Sequence, residues 1–366
     1  MDATMDRIVR HPSSKGPRWS PGPRPKPSKR RTLFRTVAVG IDGTDEGIAT
    51  ATNVALPKNS NELVLGHEAL AEVVAPQPGG RLRQGDLVVP LVREGCGLCA
   101  ACRSGAVDLC RSDDYREHGI RGLDGFMQEF WLDREDHVVS VPKTVGKWGV
   151  LVEPLSIIVK AFDEARSVQS RLPWVRATGF EPKRALIVGS GSLASMAALL
   201  LRHKKIPTSV LDRHLSSAAS AKLWRALGVK HLRRARMPKD PDEGYDLILE
   251  TTGVPKVAMG VADEIAPNGI MVLLGIPRDR RGRTWLSNQT LSRMVLRNQA
   301  ILGSVNSSRF HFEVAIRALS EIRRAQARLY GQIVTHTFTR DQSERAFSKG
   351  GDDVVKKVVH WDGDDQ

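Results

Sequence analysis

Lys183-Arg-Ala-Leu-Ile-Val-Gly-Ser-Gly-Ser-Leu-Ala-Ser-Met-Ala-Ala-Leu-Leu-Leu201 decides the fold. Its first half is a buried-strand run, and its second half is an apolar helix. Between them Gly189-Ser190-Gly191-Ser192-Leu193-Ala194 spells G-x-G-x-x-A, the dinucleotide fingerprint in the strand-turn-helix context it requires. Gly189 permits the tight turn, Gly191 lets backbone amides approach a pyrophosphate, and Ala194 lets helix pack closely on strand. The helix N-terminus offers N–H groups to the anion.

The pattern continues outward towards the C-terminus. A second strand, Thr208-Ser-Val-Leu, ends in Asp212, about twenty residues on, where a ribose 2′-hydroxyl is held in such folds. Helix Leu215–Leu227, strand Tyr245–Leu249, helix Lys256–Ala266, strand Ile270–Leu274 and strand Ala300–Val305 keep up the alternation. This predicts a Rossmann domain with a doubly wound parallel sheet over 183–307. Helix Phe310–Leu329 and a β segment ending at Trp361 then close the chain.

Towards the N-terminus the texture is different. Residues 69–92 give short apolar segments broken by Pro76, Pro78, Gly79, Gly80, Gly85 and Pro90, the texture of a small barrel-like β domain. Residues 1–182 and 308–366 are assigned to this domain. Within it, all four cysteines of the chain fall in one loop as Cys96, Cys99, Cys102 and Cys110, spaced C-x2-C-x2-C-x7-C. Such spacers let one loop wrap a tetrahedral zinc, so a structural zinc lobe is expected over 93–112. With four ligands and no open position, this ion holds structure rather than performing chemistry.

A second ligand set is split along the chain. Asp42 lies in Asp42-Gly-Thr-Asp45, and His67 and Glu68 follow the apolar run Leu63-Val-Leu65. Two carboxylates and an imidazole suit zinc with an open position. The plain alternative is a surface turn followed by a core strand with a satisfied histidine. Glu153 precedes Pro154 at a helix start; it either favours the positive helix end or supplies a fixed carboxylate beside a cleft.

Composition sets the limits. Of 366 residues, 41% are hydrophobic and 32 are glycine, as in an α/β protein. No apolar run approaches the roughly 20 residues that span a bilayer, and the N-terminus lacks the apolar stretch of a secretory signal. A cytoplasmic location and no membrane partner are expected. The formal charge of +14 draws polyanions. Its clusters, Arg24 to Arg31 and Arg278 to Arg283, lack the interleaved aromatics that stack on bases, so no specific nucleic acid is expected. Residues 11–31, rich in Pro, Ser and basic side chains, read as loop or extended chain.

From about residue 33 the chain resembles the zinc-dependent medium-chain dehydrogenases, and among them the archaeal-type glucose dehydrogenases. The resemblance is carried by Val39-Gly-Ile-Asp-Gly-Thr-Asp45, Leu63-Val-Leu-Gly-His-Glu68, Tyr115-Arg-Glu-His-Gly-Ile120, Gly125-Phe-Met-Gln-Glu-Phe130, Glu153-Pro-Leu-Ser156 and Leu302-Gly-Ser-Val-Asn306. It implies a GroES-like β-barrel beside the Rossmann domain, and a homo-oligomer, dimer or tetramer. It implies catalytic zinc bound by Asp42, His67, Glu68 and Glu153, not necessarily all at once, with Asp45 orienting His67. Most relatives have Cys at the position of Asp42. Thr44 matches the hydroxyl that relays the substrate proton, and Glu117 and Asn306 match residues that hold sugar hydroxyls.

For the cofactor, the resemblance assigns Gly189, Gly191, Ser192, Leu193 and Ala194 to the pyrophosphate. It places Leu274, Gly275 and Asn306 along the nicotinamide, and Lys356 at a cofactor phosphate. Asp212 would repel a 2′-phosphate whereas Arg213 could pair with one, so NAD is favoured and NADP admitted. The implied reaction is oxidation of an aldose such as D-glucose at C1 to the lactone. Val92 and Ile157 stand where relatives have polar residues, which keeps a zinc-dependent polyol, cyclitol or secondary alcohol dehydrogenase as the alternative. A non-catalytic nucleotide- or nucleic-acid-binding protein on this scaffold is the more distant one.

Overall fold

Thr32-Leu-Phe-Arg-Thr-Val-Ala-Val-Gly-Ile41 forms a ten-residue strand, and almost every residue in it is buried. In the computed structural model, which describes residues 4–212, 218–233, 244–277, 282, 286–351 and 353–361, this strand is the hub of a seven-stranded sheet. Glu68–Ala75 pairs antiparallel along one edge and Lys356–His360 along the other, with Phe130–Asp133 pairing its first half. The sheet continues through Leu87–Pro90 to Val138–Val141 on one side and to Val334–Thr339 on the other. Phe34 stacks on Trp131 with ring centroids 4.4 Å apart, and Phe126 meets the same indole at 4.7 Å. Such aromatic pairs add about 0.5–1.5 kcal/mol each beyond the area they bury.

The chain divides into two units, Met1–Ser156 with Asn306–Gln366, and Ile157–Val305. In the first, the N-terminal segment is more ordered than its composition suggests. Ile8–Arg10 pairs antiparallel with Leu63–Val64, and Ile8 and Val9 are fully buried in the core. Short strands at Arg18–Trp19 and Gly22–Pro23 agree with the extended reading of 11–31.

The second unit holds a six-stranded parallel sheet. Its order is Lys230–Leu232, Thr208–Leu211, Ala185–Val188, Tyr245–Glu250, Ile265–Leu273 and Ala300–Gly303. The chain starts in the middle, moves one way for two strands and returns for the other three, which is the Rossmann order. Strands such as Ala-Leu-Ile-Val188 are buried throughout because helices cover parallel sheets on both faces. Expected boundaries shift: residues 157–182, assigned above to the first domain, group with the second unit, and the strand expected from Ile270 starts earlier. The helix from Pro255 ends at Val261, and a nine-residue strand already begins at Ile265. The acids Asp263 and Glu264 fall in a short 3-10 turn, Ala262–Glu264, between the two elements, and pairing of Ile265 with Tyr245 starts the strand.

Candidate active site

Asp42 directly follows the strand Thr32–Ile41 and is the N-cap of the helix Gly43–Thr50. Its Oδ1 accepts from the backbone N–H of Thr44 at 2.7 Å and of Asp45 at 3.1 Å. Asp45 reciprocates, its Oδ2 accepting from the Asp42 N–H at 3.2 Å. This capping box aims the Asp42 carboxylate rigidly. The exposed Thr44 hydroxyl donates to Asp42 Oδ2 at 3.2 Å.

The other oxygen of Asp45 lies 3.1 Å from His67 Nδ1. An N–H donated there leaves the Nε2 lone pair for a metal. His67 Nε2 is 3.9 Å from Asp42 Oδ1, a gap that one ion with bonds of about 2.0–2.2 Å spans. Asp42, His67 and Glu68 each present a ligand atom within 4.8 Å of the other two. Glu153, in the first turn of the helix Val152–Gln169, is buried and acts electrostatically on all three, but stands outside this tight trio.

Beneath Glu68 lies Lys356, whose Nζ donates to Glu68 Oε2 and to the Ile41 carbonyl. Gly40 makes room for the pair: a Cβ there would stand 2.2 Å from Glu68 Oε2 and 2.9 Å from Lys356 Cε. This placement differs from the phosphate role expected for Lys356, whose side chain is wholly buried against a carboxylate. Sequence reading missed the pairing because 288 residues separate the partners.

Four carboxylates, Asp42, Asp45, Glu68 and Glu153, thus stand around His67 against one ammonium, an excess of three negative charges with the imidazole neutral. Burial, together with the charges of Glu68 and Asp42, pushes the Glu153 carboxyl up to about 8. Burial likewise raises Glu68, against the pull of Lys356. At Asp42 burial is outweighed by His67, Lys356 and the two helix N–H bonds, and its carboxyl is held low. Burial disfavours a charged His67, yet Asp45 and Asp42 raise it well above its ordinary range. A donor set that must otherwise take up protons suits a dication, and its nitrogen-and-oxygen chemistry suits zinc.

The cysteine loop also fits a metal. The four sulfurs lie within 4.8 Å of one another, and Cys96 Sγ is 3.9 Å from Cys102 Sγ. A tetrahedron with zinc–sulfur bonds of about 2.3 Å has edges of about 3.8 Å. Backbone N–H groups of Cys96, Cys99 and Cys102 point at the sulfurs of Cys110, Cys96 and Cys99 at 3.4–3.5 Å, as suits thiolates. Hydrogen bonds from the Arg111 and Cys102 backbones pull the Cys99 thiol down to about 6. A third close group, Glu94, Asp133 and His137, is charge-balanced without an ion. His137 bonds to both carboxylates, which push it up to about 10, and Arg116 pairs with Glu94.

Glu117 and Asn306 are brought together: Asn306 Nδ2 donates to Glu117 Oε1 at 2.8 Å. Asn306 takes a left-handed backbone, φ +61°, which asparagine tolerates. Arg93, which sequence reading passed over, donates to the same Oε1 through Nε and Nη2 at 3.1 and 2.9 Å. The signal was available only in the register that sets Arg93 opposite Glu117.

In the second unit, Gly189 has φ +107°, and a Cβ there would meet Thr251 Oγ1 at 2.6 Å. Gly191 is the N-cap of the helix Ser192–His203, which contains Leu193 and a fully buried Ala194. Ser190 Oγ donates to Asp212 Oδ2 at 2.6 Å, so the acid at the end of the second strand stands beside the glycine turn. Leu274 and Gly275 leave the sheet through bonds from their N–H groups to the Glu250 carbonyl. A Cβ on Gly275 would fall 1.9 Å from the Gly253 nitrogen, so two loop backbones touch there. Arg213 lies outside the described residues.

Two family models match the chain. That for the alcohol dehydrogenase GroES-like domain covers residues 28–143, and that for the glucose dehydrogenase C-terminus covers 146–361. A glucose 1-dehydrogenase of Methanocella arvoryzae is 33% identical over 92% of this chain and 93% of its own. One from Caldivirga maquilingensis is 35% identical over 90% and 91%. The solved glucose dehydrogenase of Haloferax mediterranei in complex with NADP, Zn and gluconolactone superposes with a TM-score of 0.87 at 30% identity, covering 98% of this chain and 99% of that one. The chain therefore belongs to the archaeal-type glucose dehydrogenase family of the zinc-dependent medium-chain dehydrogenases.

Proposed function

We propose that this protein oxidises an aldose, D-glucose foremost, at C1 to the lactone, using a zinc ion and NAD or NADP. The observation that carries this reading is the close trio of Asp42, partly exposed, with buried His67 and Glu68, and Asp45 orienting the imidazole. Relatives spanning nine-tenths of the chain are named glucose 1-dehydrogenase, and the Haloferax mediterranei structure holds NADP, Zn and gluconolactone.

Asp42, His67 and Glu68 would hold the ion, with Glu153 as a further carboxylate. Bound zinc lowers the pKa of an alcohol oxygen, and bound oxidised nicotinamide accepts the hydride. Thr44, exposed and hydrogen-bonded to Asp42, passes the hydroxyl proton towards solvent. Glu117 and Asn306 hold ring hydroxyls. The C1–H bond breaks with its electron pair leaving as hydride, the hydroxyl loses its proton, and the lactone remains. The Gly189–Ala194 turn takes the pyrophosphate on its backbone amides, and Asp212 takes the ribose hydroxyls, which favours NAD. The cysteine lobe holds a second, structural zinc.

A second reading, polyol or cyclitol oxidation, is favoured by Val92, an apolar, buried residue where the resemblance implies a polar one. A panel of aldoses and polyols, scored by reduction of each nicotinamide with lactone as the product sought, tests both. Glucose-dependent reduction supports the first reading, and turnover of polyols alone defeats it. No helix among the described residues is long and apolar enough to cross a membrane. The proposal includes a cytoplasmic location, supported by the metal-binding pattern of the thiols. It also includes a homo-oligomer, dimer or tetramer, supported by the exposed Val295 and Leu296 at 78% and 80%. Fractionation and light scattering test these.

A further inference from the structure

Arg93 sits where the cysteine lobe and the proposed sugar-binding carboxylate meet. Its strand, Arg93–Glu94, pairs antiparallel with Arg116–His118, and Arg93 stands directly opposite Glu117. One edge of the guanidinium gives Glu117 Oε1 two hydrogen bonds, at 3.1 and 2.9 Å. From the other edge, Nη1 donates to the Asp108 carbonyl at 2.8 Å, and Asp108 lies in the lobe between Cys102 and Cys110. The face of the guanidinium lies over the Tyr115 ring, 4.1 Å from its centroid. Arg93 is 9% exposed, so these contacts occupy nearly its whole surface.

The consequence falls on Glu117. Oε1 takes three donors, two from Arg93 and one from Asn306. The described residues give Oε2 no hydrogen bond, so the carboxylate is anchored through one oxygen and the other keeps its acceptor capacity. A planar fork bonding on both edges while stacking on a ring is a task for arginine, and lysine lacks the geometry.

We propose that Arg93 is the positioning residue for Glu117, and that through Asp108 it makes sugar affinity depend on the integrity of the cysteine lobe. The proposal rests on the reading of Glu117 as a ligand of sugar hydroxyls. Arg93 touches neither substrate nor cofactor in it; it acts by holding another side chain.

The test is a double-mutant cycle of R93M and E117A, measured as KM for glucose, KM for the nicotinamide and kcat. Loss of a buried charged hydrogen bond predicts that R93M raises glucose KM by about tenfold or more, with nicotinamide KM within about twofold. In the E117A background R93M should add less than about twofold, because the group it positions is gone. R93K should resemble R93M. C110S, which opens the lobe, should raise glucose KM when Arg93 is present and add nothing to R93M. If R93M does not fold, R93K in the same cycle gives the answer.

An equal effect of the Arg93 substitution with and without Glu117 overturns the proposal, as does an R93K enzyme with wild-type glucose KM. An unchanged KM in E117A overturns the reading of Glu117, and this proposal with it. An impaired E117A beside a normal R93M overturns the role of Arg93 alone.

Discussion

The ammonium of Lys356 rests on the carboxylate of Glu68, in a space that exists only because residue 40 is glycine. The lysine offsets one of the four negative charges that converge at the candidate metal set. Removing it should therefore be felt in folding as well as in metal binding. K356M, which leaves Glu68 buried and unpaired, should cost about 3–5 kcal/mol of stability, and E68Q with K356M less than the sum of the two changes. Urea unfolding of the chelated proteins measures both. G40A, which drives a methyl against the pair, should weaken zinc binding in a competition titration.

Asp42 is asked to do two things, cap a helix and bind an ion, and two substitutions separate them. D42N keeps an N-cap oxygen and should hold stability within a few tenths of a kcal/mol, while D42A should lose about 1 kcal/mol more. Both should lose zinc and glucose oxidation. Melting temperatures of the metal-free proteins, with zinc content measured alongside, check the pair of outcomes. A D42N enzyme with full zinc occupancy and turnover would falsify the ligand assignment.

The pH dependence of stability should carry the mark of Glu264. Burial, reinforced by Asp263 and opposed by Arg293, pushes its carboxyl from 4.5 up to about 7. The folded state therefore holds this proton more tightly than the unfolded state does. Its contribution is fully present below pH 4.5 and is lost as pH rises through about 7. The difference in melting temperature between wild type and E264Q, which cannot titrate, should change across that window and level off above it.

Cofactor choice should turn on Asp212, whose carboxylate stands beside the glycine turn. D212A should raise the KM for NAD by about tenfold, as expected for a charged group that accepts hydroxyl hydrogens, and shift the preference towards NADP. Initial rates with both nicotinamides decide it. Unchanged KM values for both would remove Asp212 from the site.

What could be read from the sequence was what is local. The G-x-G-x-x-A turn, the cysteine spacing and Asp42-Gly-Thr-Asp45 are each encoded within a few residues, and the glycine and helix-capping requirements at 189–194 belong to the turn itself. What could not be read depends on strand register. Lys356 meets Glu68 only because the strand Lys356–His360 and the strand Glu68–Ala75 flank Thr32–Ile41 on opposite sides. Arg93 meets Glu117 for the same kind of reason. The burial of Ile8 and Val9 was hidden because two apolar residues beside a basic, proline-rich stretch carry no periodicity, and their strand forms only against Leu63–Val64. The end of the helix at Val261 is hidden because Ala262-Asp-Glu264 carries no glycine or proline to stop a helix, and the strand that follows is fixed by its pairing with Tyr245.

The most direct test returns zinc to chelated enzyme while following glucose-dependent reduction of nicotinamide. With the cysteine lobe already filled, activity should rise with one further zinc per chain and reach a plateau there, and it should fail to rise in D42A. Full glucose oxidation by protein whose only zinc sits in the lobe would contradict the account.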